Sequence, residues 1–367
     1  MARKIVHLIA AARPNFMKVA PLYHALSKTE WCDVKLVHTG QHYDANMSDV
    51  FFRDLRLPAP DFHLEVGSGS HAAQTGGVMI AYEKVCMEHR PDVIIVVGDV
   101  NSTAACAMVG TKLWIPVVHL EAGLRSGDRR MPEEINRLVT DAIADVLWTP
   151  SEDADENLAA EGVSADKIDL IGNIMIDSFE MLRDQIEAST ASDQLGIDSE
   201  FALVTLHRPS NVDSKEDLQP IIDALLRIST KTPVVFVAHP RTMKALEKFD
   251  MREALEKSKQ FHLVPPLPYV DFMNVVTKSK FIITDSGGLQ EETTYLGIPC
   301  LTLRENTERP VTITQGTNKL VNSDNLEEHV EQVVDGVWRR TGSRPPLWDG
   351  QTAARAVDCL RRRFATN

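Results

Sequence analysis

The feature that most constrains this chain is a run of short, continuously apolar segments, each followed by a stretch with helical periodicity. The first series is "KIVHLIAA", "VKLVHTG", "DVIIVVGD", "IPVVHLEAG" and "DVLWTPS". After about residue 172 the pattern restarts with "FALVTLH", "PVVFVAH", "QFHLVPP", "FIITDSG" and "IPCLTLRE". A strand apolar at every position is buried on both faces, and helices between such strands imply a parallel sheet covered on both sides. Two series predict an α/β fold of two doubly wound, Rossmann-like domains, and 367 residues suffice for two cores. The expected boundaries are 1–172 and 173–349, with a C-terminal helix at 350–367 that could pack back on the first domain. The polar stretch "EASTASDQLGIDSE" (187–200) reads as a loop or linker.

Ligands of open α/β sheets sit at the carboxyl ends of the strands. The polar residues there are Arg13, Gln41 with His42, Asp99, Glu121, His207, His239, Asp285 with Ser286, and Arg304. A net charge of −13 argues against bulk binding to nucleic acid or an anionic membrane, which need clustered lysine and arginine. It leaves room for an anionic small molecule held by a few local cations. No segment of about 18 apolar residues exists, so no membrane span is expected. The N-terminal "MARKIVHLIAAARPNFMK" reads as a first strand rather than a leader. Five cysteines, odd in number and without a C-x-x-C spacing, fit buried reduced thiols in a cytoplasmic protein and neither disulfides nor zinc.

"TDSGGLQEE" carries the strongest local signal. After a buried strand, Ser286, Gly287 and Gly288 open a helix whose free N–H groups can cradle phosphate. Arg304 and Arg309 follow in the next loop. Arg13 and Lys18 bring two cations to the first strand–helix turn, although that turn also reads as an ordinary surface helix start. No G-x-G-x-x-G fingerprint and no P-loop is present, which disfavours NAD and ATP. In "GDVNSTAA" Asp99 reads as a helix cap or a functional acid. In "HLEAGLRSGDRRMPEEINR" Glu121 ends an apolar strand. Glu133, which follows Pro132 after a loop rich in glycine and arginine, either complements a helix dipole or joins the chemistry. Carboxylates at separate strand tips can divide acid and base roles when their surroundings differ. In "TLHRPSNVD" His207 is a plausible proton carrier and Arg208 a phosphate partner.

Taken together, "RPNFMKVAPL", "GQHYD", "GDVNST", "HLEAGLRSGD", "PEEINR", "TLHRPSNVD", "DSGGLQEE" and "TERP" resemble the non-hydrolysing UDP-N-acetylglucosamine 2-epimerases through nearly the whole chain. The resemblance implies a GT-B-like arrangement of the two domains facing a central cleft, with uridine diphosphate held mainly by the second. It implies that Ser286, Gly287 and Gly288 donate to phosphate and that Glu292 accepts from the ribose, Glu291 simply facing solvent. Arg309, His207 and Arg13 would approach the diphosphate or the sugar, Lys18 would share the active site, and Phe272 would lie beside uracil. Asp99, Glu121 and Glu133 match the acidic catalytic positions, joined by His207. The implied reaction is epimerisation at C2 by elimination and re-addition of UDP through a 2-acetamidoglucal, without cofactor or metal, in a cytoplasmic homodimer. The readings left open are a hydrolysing relative, a GT-B glycosyltransferase, a silent nucleotide-sugar sensor, and an epimerase of a UDP-diacetamido sugar or its uronic acid. The sequence departs from many bacterial members at His207–Asn211 and at Gln41–Asp44. These regions help to bind a second, regulatory nucleotide sugar in those members, so the resemblance does not extend to that regulation.

Overall fold

The computed structural model describes residues 3–11, 13–40, 54–197, 199–338 and 344–365, without the side chains of Arg13 and Pro14. The expectations placed on Gln41, His42, Tyr43 and Asp44, and on the side chain of Arg13, lie outside the described residues. The chain divides into two compact units, Met1–Met181 with Pro346–Asn367, and Leu182–Pro345.

The first unit holds seven strands, β1 (Lys4–Ala10), β2 (Cys32–His38), β3 (Phe62–His63), β4 (Val93–Val97), β5 (Val117–Leu120), β6 (Val146–Thr149) and β7 (Ile168–Leu170). They form one parallel sheet in the order β3-β2-β1-β4-β5-β6-β7. Strand β4, "VIIVV", is buried throughout, as a central strand covered on both faces must be. Burying each such side chain contributes about 1.5–3 kcal/mol. The helix Asn101–Lys112 is built from small residues and is buried from Asn101 to Ala107, so it can lie between its neighbours, the helices His71–Glu88 and Pro132–Ile143. The C-terminal helix Thr352–Phe364 packs on the helix Arg13–Ser27.

The second unit holds six strands, β8 (Ala202–Thr205), β9 (Val234–Val237), β10 (Phe261–Val264), β11 (Phe281–Thr284), β12 (Cys300–Leu303) and β13 (Asn318–Val321). Their order is β10-β9-β8-β11-β12-β13, again parallel. Both sheets are therefore doubly wound, and the order reverses between β1 and β4 in one and between β8 and β11 in the other.

All ten apolar runs form strands. Strands β3, β7 and β13 were not among them, because they lie at sheet edges, are only partly buried and carry polar residues in place of a continuous apolar run. The stretch expected as a linker is tied into the second unit. Ala191–Gln194 forms a helical turn, Ser189 Oγ donates to Asp271 Oδ1 (2.7 Å), and the Ser192 amide donates to Asn274 Oδ1 (3.0 Å). All five cysteines are buried and free. Among the described residues no helix is long and apolar enough to cross a membrane.

Candidate functional site

In the first unit the carboxyl ends of β1, β4 and β5 converge at the switch point. The register pairs Val97 with Leu120, so the next residues, Gly98 and Glu121, come side by side. Gly98 has φ +68°, and a Cβ there would lie 3.3 Å from Glu121 Oε2 and 3.5 Å from both Lys18 Nζ and Asn15 Nδ2. A side chain there would be strained by the backbone angle and would press on Glu121. Lys18, one turn into its helix, forms an ion pair with Glu121. Glu121 is buried and sits at φ +74°, a left-handed conformation that costs a non-glycine residue about 1 kcal/mol or more. Its amide and that of Ala122 both donate to the Trp148 carbonyl at the end of β6 (3.1 and 3.0 Å), which holds that conformation in place.

Asp99 follows Gly98 and keeps a partly exposed carboxylate. Arg137 Nε donates to its Oδ2 (3.1 Å) and Asn136 Nδ2 to its carbonyl (2.9 Å). Arg137 also pairs with buried Glu134. Glu134 accepts from the Ser126 amide and hydroxyl and from the Gly127 amide, each at 3.0 Å. Burial pushes the Glu134 carboxyl up, but these donors and Arg137 outweigh it and hold it below the usual range. Glu133 is exposed on the first turn of the same helix.

The helix Pro132–Ile143 is amphipathic in reverse. Its buried residues are Glu134, Arg137, Thr140 and Asp141, while Ile135 is exposed. A polar stripe at helical spacing turned inward toward strand tips is the signal that would have found Arg137, Asn136 and Asp141, none of which the sequence reading singled out.

In the second unit, strands β8 and β11 pair in the register Thr205 with Thr284, which brings His207 beside Asp285. Asp285 is fully buried and organises the loop. It accepts from the amides of His207 (3.0 and 3.1 Å) and Arg208 (2.8 Å) and from Asn211 Nδ2 (3.0 Å), and it pairs with His207 Nδ1 at 2.7 Å. Burial alone would raise its carboxyl, yet His207, the Arg208 amide and Asn211 together hold it low. With Nδ1 committed, the His207 side chain, 41% exposed, presents Nε2 as the nitrogen for a ligand.

Ser286 caps the helix Gly287–Leu296 without a side-chain capping bond, so the first amides stay open. A Cβ on Gly287 would lie 2.8 Å from Glu308 Oε1 and 3.0 Å from Arg309 Nη1, whereas one on Gly288 would meet nothing within 4 Å. Arg309 bridges Glu291 (2.8 Å) and Glu308 (2.6 Å), and Arg304 Nη2 donates to Glu308 Oε2 (2.8 Å). Glu291, expected in solvent, is instead buried in this network, because the backbone brings Arg309 over the face of the helix on which it lies. Burial favours protonation of Glu308, but Arg309 and Arg304 hold its carboxyl far below its usual range. Arg304 Nη1 is buried without a hydrogen-bond partner among the described residues. Arg208 joins the cluster: burial and the charge of Arg304 lower its affinity for its proton, partly offset by Glu308 and Asp285. The acids let three guanidinium groups gather, and the open amides and the unpartnered Nη1 remain for an anion.

Glu292 is buried beside this cradle, and Tyr269 Oη donates to its Oε1 (2.6 Å). Burial, with the charge of Glu291, pushes the Glu292 carboxyl up to about 7, against the lowering effect of Tyr269. Phe272 lies three residues beyond Tyr269 on the helix Tyr269–Lys278, hence on the same side of that helix. Tyr269 was missed by the sequence reading. His239 caps the helix Pro240–Lys248 and tilts against the ring of His207 (5.9 Å). Among the described residues no group of three His, Cys, Asp or Glu side chains is placed to hold a metal ion.

A family model described as UDP-N-acetylglucosamine 2-epimerase matches residues 24–361. The UDP-N-acetylglucosamine 2-epimerase of Methanocaldococcus jannaschii is 40% identical over 96% of this chain and 98% of that protein. The UDP-2,3-diacetamido-2,3-dideoxy-D-glucuronate 2-epimerase of Pseudomonas aeruginosa is 38% identical over 85% of this chain and 87% of that protein. A crystal structure of the Methanocaldococcus jannaschii UDP-GlcNAc 2-epimerase in complex with UDP-GlcNAc and UDP matches with a TM-score of 0.87 at 39% identity, covering 98% of this chain and 99% of that one.

Proposed function

The chain belongs to the UDP-N-acetylglucosamine 2-epimerase family, a family of isomerases, and we propose that it epimerises C2 of a UDP-2-acetamido sugar, UDP-GlcNAc to UDP-ManNAc or a close analogue. The observation that carries this reading is the cradle of the second unit: open amides at Gly287 and Gly288, just after Ser286, ringed by Arg208, Arg304 and Arg309, with Glu292 and Tyr269 beside it. A nucleoside diphosphate has anionic oxygens for the first part and neutral ribose hydroxyls for the second. Phe272 serves the base.

The reaction is an elimination and its reversal. A carboxylate takes the C2 proton, the C2–H electron pair becomes the C1=C2 bond, and the C1–O pair leaves with UDP. A proton then arrives at the opposite face of C2, drawing on the π pair, while a phosphate oxygen of UDP bonds again to C1. Atoms and electrons balance without an outside oxidant. Asp99, steered by Arg137, and Glu121, held by Lys18, are the proton-transfer groups of the first unit, with Glu133 and His207 as further candidates. Guanidinium groups and helix amides stabilise the departing diphosphate. Lys18 and Arg13 add cations in the first unit.

In deuterated water the enzyme places deuterium at C2 and yields an epimer mixture, read by NMR on a panel of UDP-sugars. Absence of exchange on every UDP-2-acetamido sugar tested overturns the proposal, and stoichiometric UDP with free sugar assigns a hydrolase instead. The Pseudomonas aeruginosa relative favours one second reading, a UDP-diacetamido uronate as substrate, and the same panel decides it. A cytoplasmic homodimer completes the proposal, and light scattering tests the dimer.

A further inference from the structure

His119 is buried on β5, two residues before Glu121, and both of its ring nitrogens face acceptors. Nδ1 lies 2.6 Å from Asp141 Oδ1 and Nε2 lies 2.8 Å from the Gly98 carbonyl. A carbonyl oxygen can only accept, so Nε2 carries a proton. Asp141 is buried. Its second oxygen accepts from the Gly123 amide (3.1 Å) and pairs with Arg125 (2.7 Å). Burial would raise the Asp141 carboxyl, but the His119 ring and the Arg125 guanidinium beside it hold it below the usual range, a carboxylate, so Nδ1 faces it with a proton as well. A ring that donates from both nitrogens is a cation, and here it is matched by the carboxylate of Asp141, itself neutralised further by Arg125. Arg125 in turn is anchored by both oxygens of Glu161 at 2.7 Å.

The consequence is mechanical. Gly98 is the residue before Asp99, and Gly123 lies two residues after Glu121. One carboxylate, acting directly on Gly123 and through His119 on Gly98, therefore ties the tips of β4 and β5 together beneath both acids. We propose that His119 and Asp141 are positioning residues that set the separation of Asp99 and Glu121, the ring of His119 donating from both nitrogens as it does so. Asp141 reaches the site because the helix Pro132–Ile143 turns its polar stripe inward, the same stripe that brings Arg137 to Asp99. This also gives the left-handed backbone of Glu121 a reason to persist: Trp148 holds its amide and Asp141 holds the turn that follows.

The inference rests on the reading of Asp99 and Glu121 as the proton-transfer pair, and the test separates the two. In the full-length protein labelled with ¹⁵N-histidine, one ring at the assay pH shows two N–H protons protected from exchange, and the signal is absent from H119Q. In D141N the amide replaces the carboxylate, so that ring keeps its Nε2 proton toward Gly98 and loses the one on Nδ1. In kinetics, H119Q lowers kcat about 10²-fold, the scale of a misplaced catalytic group, with the KM for the UDP-sugar changed less than about threefold. A single ring proton on His119 overturns the proposal, as does H119Q with unchanged kcat. If H119Q does not fold, the wild-type spectrum decides alone. If the wild type turns over no UDP-sugar while the two-proton ring is present, it is the functional reading that fails.

Discussion

Gly287 and Gly288 are adjacent and both open the same helix, yet the structure predicts opposite consequences for an added methyl group. In Gly287→Ala the new Cβ would lie 2.8 Å from Glu308 Oε1 and 3.0 Å from Arg309 Nη1. Neither atom can step aside cheaply, since both side chains are buried and Arg309 is also held by Glu291, Glu308 by Arg304. Overpacking of this kind costs about 1–3 kcal/mol, against a gain of at most about 1 kcal/mol from alanine in a helix. The net is a loss of up to about 2 kcal/mol, or up to roughly 8 °C in Tm for a unit of this size. In Gly288→Ala the Cβ meets nothing, so the helix gain stands and Tm is unchanged or slightly higher. In the proposed function that same open space receives a phosphate at the helix amides, so Gly288→Ala is expected to weaken UDP at least about tenfold, roughly 1.4 kcal/mol. Scanning calorimetry of the two variants, with UDP titrations by isothermal calorimetry, checks both halves. Wild-type UDP affinity in Gly288→Ala would refute the placement of the diphosphate at this helix start.

Burial lowers His7 and His38 from 6.5 to about 4. Between these values the unfolded chain binds more protons than the folded one, so stability is full above 6.5 and is lost as pH falls toward 4. The loss is on the order of 3 kcal/mol for each ring; urea melts at a series of pH values measure it, and a flat profile would exclude buried neutral rings. Glu292 titrates near 7 and is assigned to ribose hydroxyls, so UDP affinity falls as pH drops through about 7. Glu292→Gln flattens that profile in calorimetric titrations; an unchanged profile would move the ribose elsewhere. Asp285→Ala strands the amides of His207 and Arg208 and the side chain of Asn211, which costs about 3–5 kcal/mol. Asp285→Asn keeps most of the fold while lowering kcat, because His207 loses the partner that orients it.

Each unit's architecture, and the strand ends at which its polar residues lie, were legible in the sequence. Fully apolar runs between amphipathic segments admit little besides parallel sheets with helices on both faces, and in such sheets the polar residue ending a strand must reach the carboxyl edge. Asp99, Glu121, His207 and Ser286–Gly288 were legible for that reason. Pairing across the chain was decided by tertiary structure alone. Nothing local to Glu291 announces that Arg309 will cover it, nothing local to Glu292 announces Tyr269, and Arg137 finds Asp99 only because the helix Pro132–Ile143 turns a polar stripe inward. The edge strands β3, β7 and β13 escaped because their partners in the sheet, and no period of their own, make them strands. Local spacing fixes which way a residue points along its own element; only the packed register fixes which charge it meets, and through that charge whether it holds the backbone or meets the substrate.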